Sequence, residues 1–312
     1  MAQPSSMPPP TDPRIIIIGD GAVGTGVASL LAGLGLAPRF IGRSGPVAVD
    51  AVVQGYGTDD ATWQGHVPAA TAADVATASL AVVTVKAFDV AQALRECRAL
   101  PAGAAVWPLG NGAIYEALSL EIERRPDLVW RLGYCTFGIS VTAPRHYAWR
   151  SRTGEFAVGP SHQSAPSKSA LTPVEAMIFA RAPRQFKWHS QIAWLHRRKW
   201  LFNTVINSMT ATRQLAHNGD LLADLPSLVA VFHETWLLGG QLWGAWPLAR
   251  EDVYHALLKL IEATAANENS MARDRRLGRP TETDFLAGLA HDERAYPLLT
   301  AMHRTLKNES AT

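Results

Sequence analysis

The chain is poor in cysteine, with only Cys97 and Cys135 in 312 residues. These form neither a CxxC pair nor a zinc-ligand spacing. That excludes a disulfide-stapled scaffold and fits a reducing, cytoplasmic compartment. Long apolar runs are also lacking, and with no continuous stretch of 18 apolar residues no membrane span is expected. Neither sign of charge dominates: 29 Lys and Arg against 27 Asp and Glu leave a net charge of +2. This balance predicts no nucleic-acid partner and no membrane surface. The ten histidines are scattered without ligand spacing, so His146, His189, His196 and the others are expected to be structural or surface residues, with no metal centre. The N-terminal MAQPSSMPPPTDP has no charged segment leading into an apolar one. No secretory leader is expected there, and its Pro and Ser content predicts a flexible tail over residues 1–13.

What is present is a globular composition, 47% hydrophobic and 18% charged, in a chain long enough for two domains with separate cores. The first reads as a Rossmann-type α/β domain. Arg14–Ile18 (RIIII) is a β-branched run suited to a strand buried on both faces of a parallel sheet. It runs into Gly19-Asp20-Gly21-Ala22-Val23-Gly24, and a helical pattern follows to about Leu36. Strand before and helix after turn a common GxGxxG into a dinucleotide-binding signal. Gly19 allows the turn, Gly21 lets the backbone approach a pyrophosphate, and Gly24 lets helix and strand pack closely. The helix N-terminus then faces the phosphates.

A second strand, Arg39–Gly42, ends at Arg43, where the cofactor ribose is expected. An acidic residue there suits the 2′-hydroxyl of NAD and an arginine the 2′-phosphate of NADP. No Asp or Glu lies between Asp20 and Asp50, so NADPH/NADP is expected, with Arg43 and Ser44 on the phosphate. Leu80–Val85 and Ala105–Leu109 are further buried strands, with Lys86 and Asn111 at their carboxyl ends, the edge where open α/β sheets bind ligands. Residues 132–160 suggest antiparallel strands closing the sheet. Residues 161–169 suggest a Ser/Pro-rich loop, Pro173–Arg181 a short helix, and Arg184–Ser190 a last strand. The boundary is placed at His189, giving domains 14–189 and 190–312.

The second domain reads as all-helical. In Trp194–Thr210 (WLHRRKWLFNTVINSMT), Lys199, Asn203 and Asn207 are four residues apart and share one helix face. The rest of that helix is apolar enough to be buried, so its ammonium and amides need partners or a ligand. Two readings stay open from this stretch: a polar stripe bonded to backbone at a domain seam, or a catalytic lysine with two amides orienting a polar substrate. His217–Asp220 suggests a turn, and Pro226–Gly244 and Ala249–Asn269 suggest helices. At the end of the latter, Asn267 and Ser270 are expected to share a face. The basic run Arg273–Arg279 reads as a solvated helix end. Thr281-Glu282-Thr283-Asp284 fits a capping box opening another helix, with Glu282 as favourable first-turn charge.

Taken together, these segments resemble the ketopantoate reductase family from about Arg14 to Lys307. The matching pieces are GDGAVG (19–24), VKAFDV (85–90), LGNG (109–112), KWLFNTVINSMTA (199–211), NGDLL (218–222) and NSMARDRRLGRPTETD (269–284). The resemblance implies NADPH-dependent reduction of a 2-oxo acid, ketopantoate (2-dehydropantoate), to a 2-hydroxy acid, as in pantothenate and coenzyme A biosynthesis. By the same resemblance Lys199 is the general acid and Glu282 its partner. Asn203, Asn207, Asn267 and Ser270 are substrate ligands, and Asn111 stands at the junction of nicotinamide and substrate. Gly19, Asp20, Gly21, Ala22, Val23, Gly24, Arg43 and Lys86 form the cofactor site. The chemistry suits these residue types, because an ammonium both stabilises and protonates the alkoxide formed by hydride delivery.

The sequence also departs from the family pattern. Ser208 replaces a usual proline, Ala287 stands where asparagine is common, and Trp236–Trp246 (WLLGGQLWGAW) is rich in tryptophan. These departures keep open a relative acting on another 2-oxo acid, carbonyl or imine. The β-hydroxyacid dehydrogenases share a helical lysine–asparagine pair but not the set of Asn207, Ser270 and Glu282. A non-catalytic NADPH sensor would be expected to lack the lysine or the glutamate. No feature of the chain sets its oligomeric state, and a homodimer stays a candidate.

Overall fold

The computed structural model describes residues 13–43, 45–56, 61–150, 154–161 and 170–308. The expected N-terminal tail, the Ser/Pro-rich loop after Ser161, and Ser44 lie outside these residues. The chain divides into two compact units, one of residues 1–110 and 115–193, the other of Asn111–Ile114 and Trp194–Thr312.

The first unit is built on an eight-stranded sheet. Its strands are β1 (Ile15–Ile18), β2 (Pro38–Gly42), β3 (Gly45–Pro46), β6 (Leu80–Val83), β7 (Ala105–Pro108), β8 (Val129–Cys135), β11 (Phe156–Pro160) and β12 (Phe186–Trp188). The spatial order is β12-β11-β8-β7-β6-β1-β2-β3. The run from β2 through β1, β6 and β7 to β8 is parallel, while β11 returns antiparallel to β8. All four residues of β1 and all four of β6 are buried, as a strand covered on both faces requires. The chain leaves β1 toward β2 on one side and resumes at β6 on the other. The carboxyl ends of β1 and β6 therefore form the topological switch point where such sheets take ligands. Pro108 is tolerated because it is the last residue of β7. Helices α1 (Ala22–Gly33), α2 (Ala72–Ala76), α3 (Ala87–Glu96), α4 (Tyr115–Arg124) and α5 (Pro173–Arg181) accompany the strands.

A second sheet was not anticipated. Strands β4 (Val49–Tyr56), β5 (Ala61–Val67), β9 (Ile139–Ala143) and β10 (His146–Trp149) form a four-stranded sheet in the order β5-β4-β10-β9. Of the strands expected to close the main sheet, β8 and β11 do so, but β9 and β10 join this smaller one. Its inner residues Ala51, Val53 and Tyr147 are buried. A Cβ on Gly26 of α1 would stand 2.4 Å from Ile139 Cδ1, so glycine is what lets β9 lie against that helix.

The second unit comprises α6 (Ile192–Thr212), α7 (Leu225–Trp243), α8 (Arg250–Ala263), α9 (Ser270–Arg276) and α10 (Pro297–Asn308), with short 3₁₀ turns between them. Trp200, Leu201, Val205 and Met209 of α6 meet Leu228 and Leu238 of α7, Leu257 and Ile261 of α8, and Leu299 and Leu306 of α10 in one core. The segment Asn218–Trp243 is long and apolar enough to cross a membrane by length and composition, yet its Leu228, Val231, Phe232 and Leu238 belong to this core. Glu234 on the same helix accepts the backbone N–H groups of Leu298 and Leu299, capping α10.

Two helix boundaries correct the sequence reading. The helix expected to run to Asn269 stops at Ala263, and Ser270 opens a separate helix, so Asn267 and Ser270 do not share one face. Asn269, whose side chain accepts from the N–H groups of Met271 and Ala272, starts α9, while the carbonyls of Ala265 and Asn267 between the two helices accept from the N–H groups of Gly219 and Asn218. The expected capping box at Thr281–Asp284 is also absent. Glu282 precedes a three-residue 3₁₀ turn, Thr283–Phe285, and makes no side-chain cap bond.

Candidate active site

Helix α6 positions the predicted lysine. Trp200 fixes its rotation: the indole is buried and donates from Nε1 to the Phe285 carbonyl at 3.2 Å. The same carbonyl accepts the Ala113 N–H at 3.2 Å. One backbone oxygen thus ties together the segments carrying Lys199, Asn111 and Glu282. With rotation fixed, Lys199 and Asn203 lie half-buried and Asn207 is buried on the same face.

Asn111 is the hub of this group. Its Oδ1 accepts from Lys199 Nζ at 2.5 Å and from Asn203 Nδ2 at 3.5 Å. Its Nδ2 donates to Glu282 Oε2 at 3.4 Å. Glu282 is 3% exposed, which makes its engagement with polar partners obligatory rather than decorative. His196, one helical turn before Lys199, is buried, and burial followed by the Lys199 and Arg197 charges pushes its pKa down to about 3. It is therefore a neutral imidazole at physiological pH, and the ammonium of Lys199 has no competing cation from it.

Four of the predicted residues, Lys199, Asn203, Asn111 and Glu282, are brought together in this way. Asn207 follows one turn further along and bonds instead to Asn269, which donates from Nδ2 to Asn207 Oδ1 at 2.6 Å. Asn267 is exposed in the turn after α8, where its backbone carbonyl accepts the Asn218 N–H. Ser270 is the exposed first residue of α9. Asn269 and Trp200 are the residues that sequence reasoning missed. The Asn at an N-cap position before SMARD was a usable signal, but its partner is 62 positions away. The basic run is not wholly solvated either, because Arg275 donates to the carbonyls of Ala211 and Thr212 at the end of α6. A cavity of about 270 Å³ between α7 and α8, lined by Phe232, His233, Arg250 and Tyr254 among others, contains none of the predicted residues.

In the first unit the glycine loop follows β1 directly. Gly19 has φ +110°, a conformation that L side chains rarely adopt. A Cβ on Gly24 would stand 1.9 Å from the Gly19 carbonyl oxygen, so this glycine is required for packing. Gly21 is different: it is exposed, and a Cβ there would meet nothing within 4 Å. It is the N-cap of α1, with no side-chain cap bond and no acidic residue in the first turn. The leading amides of a 12-residue helix are thus open to an anion, with Ala22 and Val23 in that first turn. These features fit a dinucleotide pyrophosphate.

The expected ribose corner is more acidic than the sequence suggested. Arg43 is exposed and pairs with Asp89 at 2.6 Å, with its guanidinium 5.9 Å from the Phe88 ring centre. Asp20 Oδ1 comes within 3.2 Å of a Cβ built on Gly42, at the end of β2. Lys86, half-buried, stands at the N-cap position of α3 beyond β6.

Two family models match successive parts of the chain. Residues 15–163 match the model described as "Ketopantoate reductase PanE/ApbA", and residues 191–293 match "Ketopantoate reductase PanE/ApbA C terminal". A 2-dehydropantoate 2-reductase of Vibrio cholerae is 30% identical over 68% of this chain and 69% of its own length. One from Halobacterium salinarum is 28% identical over 94% and 96%. Among solved structures, a PanE/ApbA family ketopantoate reductase from Ralstonia eutropha superposes with a TM-score of 0.75 at 21% identity, covering 95% of this chain and 98% of that one. A D-mandelate dehydrogenase bound to NADH and anilino(oxo)acetate gives 0.76 at 15% identity, with the same coverage. These two share the fold. A ketopantoate reductase from Staphylococcus aureus, described as dimeric, gives 0.70 at 16% identity, with coverage of 95% and 98%.

Proposed function

Because this chain belongs to the ketopantoate reductase family of oxidoreductases, we propose that it reduces 2-dehydropantoate to pantoate with NADPH, Lys199 acting as general acid. The observation that carries this reading is the Lys199–Asn111–Glu282 arrangement, in which a neutral amide holds the ammonium by its oxygen and a buried carboxylate by its nitrogen. NADPH, when bound, supplies the hydride. Gly21 and the α1 amides would hold its pyrophosphate, and Arg43 and Lys86 would meet its other charged groups.

The remaining steps belong to this chain's own groups. Lys199 Nζ donates toward the ketone oxygen, stabilises negative charge growing there, and transfers a proton to it as the hydroxyl forms. Asn111 fixes where that proton is held. Glu282, through Asn111, contributes negative charge that favours the protonated lysine in a half-buried setting. Asn203 and Asn207 offer amide atoms to the carboxylate and hydroxyl of the substrate, with Ser270 and Asn267 nearby in sequence as further candidate ligands.

A different 2-oxo acid, carbonyl or imine is the second reading. It is favoured by a cluster of tryptophans around the start of α6: Trp236 stacks on Trp246 at 4.7 Å, Trp194 meets Trp246 at 5.7 Å, and Trp243 meets Trp200 at 4.6 Å. A cytoplasmic location accords with two buried free cysteines. A homodimer is the assembly proposed, supported by exposed Leu225, Val229 and Leu237 on α7.

The test follows NADPH absorbance with ketopantoate beside NADH and a panel of 2-oxo acids. Turnover of ketopantoate with NADPH is expected. NADPH binding without ketopantoate turnover moves the function to the second reading. Lys199→Ala should lower kcat by roughly 10²–10⁴ with NADPH binding nearly intact. Turnover close to the parent's would remove the lysine from the mechanism.

A further inference from the structure

The second unit contains a polar contact that the proposed mechanism does not use, between Asn269 and Asn207. Asn269 is 8% exposed and Asn207 6%. An amide side chain has one acceptor end and one donor end, so fixing one end assigns the other. The acceptor end of Asn269 is committed: its Oδ1 takes the backbone N–H of Met271 at 2.9 Å and of Ala272 at 3.3 Å. These bonds start α9 and cannot be made by an NH₂ group. The end of Asn269 facing α6 is therefore Nδ2, and only an oxygen of Asn207 can accept from it, as the 2.6 Å contact requires. The Asn207 amide is locked with Oδ1 toward Asn269 and Nδ2 on its other side, where among the described residues it has no hydrogen-bond partner.

We infer that Asn269 is a positioning residue that sets the polarity of Asn207, so that the Lys199 face of α6 offers an N–H donor at its far end. It thereby selects a substrate whose group there is an acceptor, such as a carboxylate oxygen. The inference deepens the proposed function and rests on Asn207 being a substrate ligand. A helix cap fixed by local sequence dictates which atom a residue 62 positions away presents.

Asn269→Asp separates the two roles of the residue. A carboxylate keeps both acceptor bonds of the cap and is favourable at a helix N-terminus. It cannot donate to Asn207 Oδ1, so the Asn207 amide turns over, gives Nδ2 to the carboxylate and presents Oδ1 instead. The expected result is an unchanged melting temperature, unchanged NADPH binding, kcat within about twofold, and KM for the 2-oxo acid raised about tenfold to a hundredfold, the scale of one hydrogen bond to a charged group. In an Asn207→Ala background the same substitution should no longer raise KM, because it acts through Asn207. An unchanged KM, or a rise that persists undiminished in that background, overturns the inference. A fall in kcat together with a fall in melting temperature also overturns it, since that marks a structural role only.

If no 2-oxo acid reacts with the parent, the proposed function fails, but the lock is still read directly. The Asn207 side-chain NH₂ resonances, assigned by their loss in Asn207→Ala, should shift in Asn269→Asp. Unmoved resonances overturn the inference whatever the substrate.

Discussion

Gly21→Ala separates a glycine required by a ligand from one required by the fold. Gly21 has φ −75° and ψ −170°, which alanine adopts freely, and an added Cβ would meet nothing within 4 Å. The cost to folding is that of a poorer N-cap, about 1 kcal/mol. In a unit of this size that moves the melting temperature by about 2–4 °C. The cost to binding is expected to be larger, because the second glycine of such a loop is what lets the backbone come close to a pyrophosphate, and a methyl group there takes up space beside a phosphate oxygen that must approach within about 3 Å. Losing two charge-assisted bonds at about 1.5–3 kcal/mol each puts the loss at about 3 kcal/mol or more, roughly a hundredfold in Kd. Titration by calorimetry should show that loss equally for NADPH and NADH, since the pyrophosphate is common to both. Gly24→Ala is the contrasting variant. Its Cβ would lie 1.9 Å from the Gly19 carbonyl oxygen and 2.7 Å from Thr84 Oγ1, so backbone must move and stability should fall by about 3 kcal/mol. A Gly21→Ala protein that binds either dinucleotide with parental affinity would refute the assignment of the α1 N-terminus to the pyrophosphate.

Three further substitutions address the ribose corner and the buried imidazole. Arg43→Ala should weaken NADPH at least tenfold more than NADH, and equal losses by fluorescence titration would show that the 2′-phosphate is not read there. Asp89→Asn should move the preference two- to fivefold further toward NADPH, because an exposed pair such as Arg43–Asp89 competes for the guanidinium with at most about 1 kcal/mol. Burial holds His196 at a pKa of about 3 in the folded chain, below the ordinary histidine value of 6.5, so the unfolded chain binds the proton first as pH falls. Stability is then lost below pH 6.5 at about 1.4 kcal/mol per unit. His196→Gln should remove about 2 kcal/mol of the difference in urea unfolding free energy between pH 7 and pH 5, and an unaltered difference would refute the buried neutral form.

The parts of the fold written in local pattern were legible. Four consecutive isoleucines, the glycine loop and the following helix identify β1 and α1 because a doubly covered strand needs no polar alternation. Strands β4 and β5 are hard to read because Val52 beside Val53 breaks the alternation that Asp50, Ala51, Val53 and Gln54 would otherwise show, and Gly55 and Gly65 interrupt the runs in the manner of a loop. The break between α8 and α9 was hidden for another reason. The apolar spacing of Val253, Leu257 and Ile261 gives no stop signal, because the helix ends where the carbonyls of Ala265 and Asn267 turn to the distant N–H groups of Gly219 and Asn218, and Asn269 then caps a new helix. In the site, the four-residue spacing of Lys199, Asn203 and Asn207 is a property of one helix and was visible. The hub at Asn111 required contacts 88 and 171 positions away. The sequence beside β2 carries no acidic residue for Arg43, and Asp89 is distant in sequence from it. Its carboxylate comes from α3, 46 positions on.

The asparagines of this site fall into two kinds. Asn111 and Asn269 have both amide ends engaged: the oxygen of Asn111 on Lys199 and Asn203 with its nitrogen on Glu282, and the oxygen of Asn269 on two backbone amides with its nitrogen on Asn207. Neither can turn over without placing like ends together, which would leave a buried donor or acceptor unpaired at about 1–3 kcal/mol each. Asn203 and Asn207 each spend one end on these fixed amides and keep the other. A chemically asymmetric group thus passes its orientation to the next, and residues of one type acquire opposite polarities on one helix face. An aspartate at 111 would set a carboxylate against Glu282, whereas a leucine there would leave Lys199 and Glu282 without their shared partner. Amides hold an ammonium and a carboxylate in register without adding charge of their own, so that in the proposed reaction Lys199 stays the cation that faces the growing alkoxide.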